Sequence, residues 1–336
     1  MSDIRPLRIG IISTAKIGRE KVIPGLQSTP LVEVVAIASR DEAKAKETAA
    51  KLGIPKAYGS YEALLADPEV EAVYIPTPND SHVDLSLAAA QAGKHVLCEK
   101  PSAMNAADAA RLAAIPAGIV YLEAFMVRFH PQWIAVRDIV RSGRIGTPVG
   151  VQCWFSYALS DPTNIRNKPE NGGGAALDIG CYPIVVSRFV LDADPLRVVA
   201  LVERDPAFGT DRLTSALMDF GNGRHLTFTV GTQCVPHQRV IVCGTLGRVE
   251  VMIPFNQPPS EDSIIRVDTG KALGDAAIET IRIPAADQYA KQGEAFAKAV
   301  RGVEPLPYGV KDAALMMRAL DALFASAETG TWVTLR

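Results

Sequence analysis

The chain has 336 residues, enough for two hydrophobic cores, and its 48% hydrophobic and 21% charged residues are those of an ordinary globular protein. A formal net charge of -2 supplies no basic field, which excludes nucleic acid or an anionic membrane surface as the main partner. No apolar run reaches the roughly 18 residues that a membrane span needs.

In chain order, "MSDIRPLRIG" passes almost at once into an apolar run. That leaves no room for a signal peptide and predicts a cytoplasmic protein. The first ~120 residues alternate short apolar runs with amphipathic segments, the βαβ rhythm of a parallel sheet. Strands are predicted at 7–12, 32–38, 71–77, 94–99 and 118–125, and helices at 17–28, 41–52, 60–66, 81–92 and 105–114. Gly53 and Gly93 stand where helix C-caps belong, and Asp41 where an N-cap does.

Beyond ~125 the rhythm changes. A helix, "PQWIAVRDIVRSG", leads to the strand "PVGVQCWFSYA", a loop, and a helix over 175–191. Strands follow near 196–203, 212–220, 224–232, 237–243, 247–253, 263–268 and 278–283, and "FGNG" and "GTLG" mark hairpins between them. Helices at 287–301 and 310–328 close the chain. The predicted fold is α/β: a doubly wound Rossmann domain over 1–124, then an α+β domain over 125–336 with a large, mainly antiparallel open sheet. The last helix is allowed to pack back on the first domain.

"GIISTAKIG" occupies the place of a dinucleotide-binding turn, but a G-x-G-x-x-G pattern over Ser13, Ala15 and Gly18 keeps only its last glycine. Serine and alanine are the smallest substitutes, and Ser13 also offers a hydroxyl to a phosphate. Thr14, Lys16 and Ile17 complete the turn, which aims backbone N–H groups at an anion. About twenty residues on, where an acid would hold a ribose hydroxyl, stand Ser39 and Arg40, a pair suited to a 2′-phosphate and so to NADP, with NAD the alternative.

Two further segments end strands on the ligand edge of such a sheet. "IPTPNDSH" offers Thr77, Pro78, Asn79 and His82, and "LCEKPS" offers Glu99 and Lys100. In "GGGAALDIGCYP" three glycines permit close backbone approach, Asp178 and Tyr182 lie four apart on a helix, and Pro183 threatens its hydrogen-bond ladder. The five cysteines are scattered and odd in number, and the five histidines show no metal-ligand spacing, so neither a disulfide framework nor a metal site is expected.

Together, "TPNDSH", "EKP" and "GGGAALDIGCYP" resemble the Gfo/Idh/MocA oxidoreductases. "EAFMVRFHPQW", "GRIGTPVGV" and "QRVIVCGTLGRVEVMIPFN" extend the resemblance over essentially the whole chain. It is similar above all to the NADP-linked aldose (D-xylose) 1-dehydrogenases and dimeric dihydrodiol dehydrogenases, which place tyrosine where many other members place histidine. The resemblance implies that Lys100 is the active-site lysine and Tyr182 the acid/base. It implies that Asp178 contacts the sugar or orients the acid/base, and that Arg166 lies near the cofactor. The glycine-poor loop is the departure from the family pattern.

The chemistry expected is hydride transfer from a hydroxyl-bearing carbon of a sugar or cyclic polyol. Tyr182 manages the proton, Lys100 favours the phenolate, and Asp178 opposes it if too close. Phe155 joins Lys100, Asp178 and Tyr182 as a substrate contact, with Phe125, Arg128 and Tyr157 as further candidates. The apolar strands "VIVCG" and "VEVMI" predict a homodimer through the second-domain sheet. The alternatives are a trans-dihydrodiol dehydrogenase, an anhydrofructose reductase-like enzyme, or a silent NADP-binding sensor.

Overall fold

"LRIGII" is apolar at every position but Arg8 and Gly10. In the computed structural model, which describes residues 5–272 and 274–335, it forms β1 (Leu7–Ile12). Five more strands join it: β2 (Val32–Ala38), β3 (Lys56–Tyr58), β4 (Ala72–Ile75), β5 (His95–Cys98) and β6 (Tyr121–Glu123). All pairings among them are parallel, in the order β3-β2-β1-β4-β5-β6. The order reverses between β1 and β4, and such a switch opens a crevice at the carboxyl ends of the strands. β4 is buried throughout because helices cover both faces of a parallel sheet.

The crossover segments are α1 (Ile23–Gln27), α2 (Glu42–Leu52), α3 (Tyr61–Leu65), α4 (His82–Gln91) and α5 (Ala106–Ala110). Asp41 caps α2, accepting from the Lys44 N–H at 3.2 Å, and Gly53 closes it at φ 65°. The helix after β1 opens as a wide π turn, Gly18–Val22, before tightening into α1. β3 escaped the sequence reading: three half-exposed residues carry too short a pattern to stand out.

The second sheet is built on α6 (Pro131–Arg141), β7 (Pro148–Ala158) and α7 (Cys181–Leu191). After them come β8 (Arg197–Arg204), β9 (Asp211–Asp219), β10 (His225–Gly231), β11 (Gln233–Gly244), β12 (Gly247–Val251), β13 (Ser263–Asp268) and β14 (Glu279–Ile283). A two-residue β15 (Val333–Thr334) edges the sheet, giving the order β14-β13-β12-β11-β7-β10-β9-β8-β15. Only the central β7–β10 pair is parallel; the other neighbours are antiparallel. On one face of the sheet Phe155 of β7 meets Tyr182 of α7; on the other, Leu201 is 77% and Trp154 43% exposed, in a shallow depression of about 620 Å³ that Thr227, Thr229, Ser215 and Arg239 also line.

The chain then returns to the first unit through α8 (Gln288–Val300), against which Gly25 of α1 packs. The long α9 (Val310–Thr329) follows. By its internal contacts the chain forms two units, one comprising the residues up to Met126 with Asp287–Met317, the other Val127–Ala286 with Arg318 onward. The stretch 287–317, placed by sequence in the second domain, thus belongs with the first. Arg301, just after α8, explains part of this. It donates to the carbonyls of Arg5 and Pro6 at 3.0 and 2.8 Å and to Glu71 at 2.8 Å.

The segment Pro169–Leu191 is long and apolar enough to cross a membrane, but 89% of its apolar window is buried inside the protein. Its apolar part is the π turn Ala176–Gly180 with α7, in the core of the second unit.

Candidate active site

Ser13 follows directly on β1 and takes φ 119°, a region that side chains avoid and glycine tolerates. The residue standing where a nucleotide loop has its first glycine has therefore adopted the glycine conformation. Its hydroxyl accepts from the Ala15 N–H at 3.1 Å, so it shapes the turn and still has a proton to donate. No side chain caps the π turn that follows; the helix begins at Lys16, the Arg19 N–H donates to the Ala15 carbonyl at 3.1 Å, and the helix N-terminus at Lys16 and Ile17 is the end that favours an anion. Gly18 packs against Pro76 and Tyr74. Beyond β2, Ser39 is buried and accepts from the Asp41 N–H, while Arg40 is exposed. A pyrophosphate at the turn and a 2′-phosphate at Arg40 fit this arrangement.

The loops after β4 and β5 are joined from below. His82, first residue of α4, is fully buried, with its two ring nitrogens 2.7 Å from the Thr77 carbonyl and 2.8 Å from the Pro101 carbonyl. Burial, the dominant effect, lowers its pKa. His82, expected from sequence among the cofactor contacts, is here a brace between the two loops, with no ring surface exposed. Thr77 accepts from Ser81 at 2.8 Å; Pro78 and Asn79 are half-buried beside it.

Lys100 precedes a cis peptide bond to Pro101, and its N–H donates to the Glu99 carboxylate at 3.2 Å. The other Glu99 oxygen accepts from Tyr74 at 2.7 Å. Tyr74 is buried in β4, and burial reinforced by the Glu99 charge raises its pKa well above the ordinary value, so it stays a donor. Sequence reasoning passed over Tyr74 because it lies inside a continuous apolar run.

In the second unit the loop before the glycine triplet folds back through two short turns, Ile165–Asn167 and Pro169–Asn171. Gly172, at φ 73°, ends them, and the Gly174 N–H donates to the Arg166 carbonyl at 2.9 Å. A Cβ on Gly173 would meet the Arg166 backbone. The Arg166 Nε then reaches Asp178 Oδ2 at 2.9 Å, and the Tyr157 hydroxyl donates to the same oxygen at 2.6 Å. The charge of Asp178 holds the Arg166 pKa above its usual range, against the opposing effect of burial. Burial, then Asp178, pushes the Tyr157 phenol up.

Asp178 lies in a second π turn, Ala176–Gly180, which passes into α7 just before Pro183, where the missing N–H interrupts an α ladder. Tyr182 is 7% exposed, its ring centroid 5.9 Å from Phe155 and 5.2 Å from Phe255. Phe255 follows β12 on a segment pinned by Gln238, which accepts from the Phe255 N–H, and by Trp133, which donates to the Pro254 carbonyl. No periodic pattern marks Phe255. Arg128 is buried, and Phe125 belongs to the first unit.

A doubly wound sheet with an open anion-binding turn, and a second unit carrying a tyrosine beside an arginine–aspartate pair, define an NAD(P)-dependent oxidoreductase. Residues 7–117 match the model of the oxidoreductase family with the NAD-binding Rossmann fold, and 133–250 the GFO/IDH/MocA C-terminal domain. The chain belongs to the Gfo/Idh/MocA family. It is 39% identical to a D-xylose 1-dehydrogenase (NADP(+)) of Haloferax volcanii, over 98% of this chain and 100% of that one. It is 33% identical to a trans-1,2-dihydrobenzene-1,2-diol dehydrogenase of Xenopus tropicalis, over 75% and 77%. A 3-ketoreductase of Actinomadura kijaniata, solved in complex with NADP and TDP-benzene, superposes with a TM-score of 0.88 at 32% identity, covering 96% and 98%.

Proposed function

We propose that this oxidoreductase is NADP-dependent and oxidises a hydroxyl-bearing carbon of a sugar or cyclic polyol in the manner of an aldose 1-dehydrogenase. The observation that carries the reading is the cluster around Tyr182: a phenol packed by Phe155 and Phe255, on the helix that bears the Arg166-bound Asp178. Arg40 beyond β2 and the NADP-linked relative support NADP over NAD.

Bound NADP supplies the hydride acceptor. The first unit contributes Lys100, whose ammonium favours negative charge on the reacting oxygen, and holds the cofactor with Ser13, Thr14, Ala15, Lys16, Ile17, Ser39, Arg40, Thr77, Pro78 and Asn79. Tyr182 of the second unit accepts the hydroxyl proton as the carbonyl forms. Asp178 orients it, and Phe155 forms an apolar wall for the sugar. Arg166, placed by the resemblance near the cofactor, bonds Asp178 and offsets the negative charge that would otherwise disfavour the phenolate. The enzyme is a cytoplasmic homodimer in this reading.

The test is NADPH formation with a panel of aldoses, inositols and dihydrodiols, repeated with NAD. Tyr182→Phe lowers kcat by about 10²–10⁴ with NADP binding intact. Tight NADP binding without turnover on any of these would instead favour a sensor.

A further inference from the structure

The third glycine of "GGGAALDIGCYP" makes room for a carboxylate. Gly174 stands at φ 118°, and a Cβ there would collide with Oδ1 of Asp211. Asp211, the first residue of β9, is 1% exposed. Its Oδ2 accepts from the Ala176 N–H at 2.7 Å and from the Thr214 hydroxyl at 2.7 Å. Ala175, at the head of the π turn, makes no side-chain cap of its own. The N-terminus of the helix bearing Asp178 and Tyr182 is therefore capped from a strand 35 residues away in sequence.

We propose that Asp211 is a positioning residue for the reaction, its buried carboxylate setting the start of the turn from which Asp178 and Tyr182 project. The inference rests on the reading of Tyr182 and Asp178 given above and extends it to a residue that touches neither substrate nor cofactor. A helix N-terminus binds a carboxylate through its unpaired N–H groups and its dipole, and a charge-assisted bond is roughly twice as strong as a neutral one. A residue at 174 with a side chain would displace that carboxylate.

The charge on Asp211 is conditional. Burial pushes its carboxyl up to about 6, while the bonds from Thr214, Ala176 and its own N–H, and the charge of Arg204, pull it down. Arg204 on β8 and Tyr157 on β7 stand near it, and the helix and loop it supports carry Asp178 and Arg166, paired with each other. Below about pH 6 the carboxyl takes up a proton. Oδ2 still accepts, but the bond to Ala176 becomes a neutral one.

Asp211→Asn keeps the shape and the acceptor and removes the charge, so it mimics the protonated state at every pH. Amide exchange at Ala176, corrected for its intrinsic rate, reads the cap directly and needs no substrate. In the wild-type protein protection falls about fivefold from pH 7.5 to 5; in Asp211→Asn it stays at the low-pH value throughout. With D-xylose and NADP, Asp211→Asn has a kcat lowered several-fold near pH 7.5, an unchanged KM for NADP, and no acidic limb near pH 6. Superimposable exchange profiles for the two proteins overturn the inference, as does a lowered melting temperature with an unaltered kcat profile. Tyr182→Phe at the wild-type rate would instead overturn the reading of the site while leaving the exchange result standing.

Discussion

Arg166 Nε lies 2.9 Å from Asp178 Oδ2, so the carboxylate nearest in sequence to Tyr182 carries its own counter-charge. An isolated aspartate four residues from the tyrosine proposed to accept the proton would work against it. Paired with a guanidinium and bonded by Tyr157, it is compatible with the orienting role proposed for it, without that penalty.

Replacing Arg166 with Met should therefore leave an uncompensated carboxylate beside the phenol. The rising limb of kcat against pH moves to higher pH, and activity at neutral pH falls about tenfold. Arg166→Lys restores part of it through charge alone, without the planar fork. A limb that stays in place in Arg166→Met would show that Asp178 and Arg166 do not tune the tyrosine.

Ser13 offers a simpler measurement. A non-glycine residue at φ 119° costs ~1–3 kcal/mol, and glycine gives back up to ~1 kcal/mol in chain entropy. Ser13→Gly should raise unfolding stability by about 1 kcal/mol in denaturant titration. It also frees the Ala15 N–H that the serine hydroxyl now engages. Lower stability would mean that the hydroxyl contributes more than the backbone conformation costs.

Acid sensitivity should come in part from Asp67, whose carboxyl is held at about 2, and in part from Glu71. Burial opposes its charge, but Arg301, the Arg8 N–H and Arg5 win, and its carboxyl is held at about 2. A carboxyl lower in the folded than in the unfolded state stabilises above the unfolded value near 4.5 and loses that contribution as pH falls toward 2. Discounted for partial exposure, this is about 2 kcal/mol, and Glu71→Gln should abolish it. Asp211 acts oppositely over another window: its raised carboxyl makes the fold gain stability as pH falls from about 6 to its ordinary 3.8. Urea titrations across pH 2–7 separate the two.

The outer face of the nine-stranded sheet is the proposed dimer surface. Trp154 at 43% and Leu201 at 77% exposure stand in one row across that face, with Thr229 and Ser215 between them, as two apolar contacts that a second copy would cover. Light scattering should give twice the chain mass, and Leu201→Glu with Trp154→Lys should halve it without loss of secondary structure. A wild-type mass equal to one chain would refute the dimer.

Much of this architecture is local in origin and was legible in the chain itself. The continuous apolar runs at 7–12 and 32–38 could only be strands covered on both sides, and Asp41 and Gly53 marked both ends of a helix by capping chemistry alone. Spacing and residue type likewise placed Lys100 after a strand and Tyr182 on a helix, as the structure has them. Tertiary structure decided what depends on residues far apart. The parallel pairing of β7 with β10, the return of 287–317 to the first unit and the short β3 follow from packing that no local period encodes. The burial of His82, the bond between Arg166 and Asp178, and the carboxylate of Asp211 beneath Gly174 are of the same kind. A titratable side chain acquires its role from the charges and dipoles that folding brings against it, and those partners leave no mark on its own stretch of sequence.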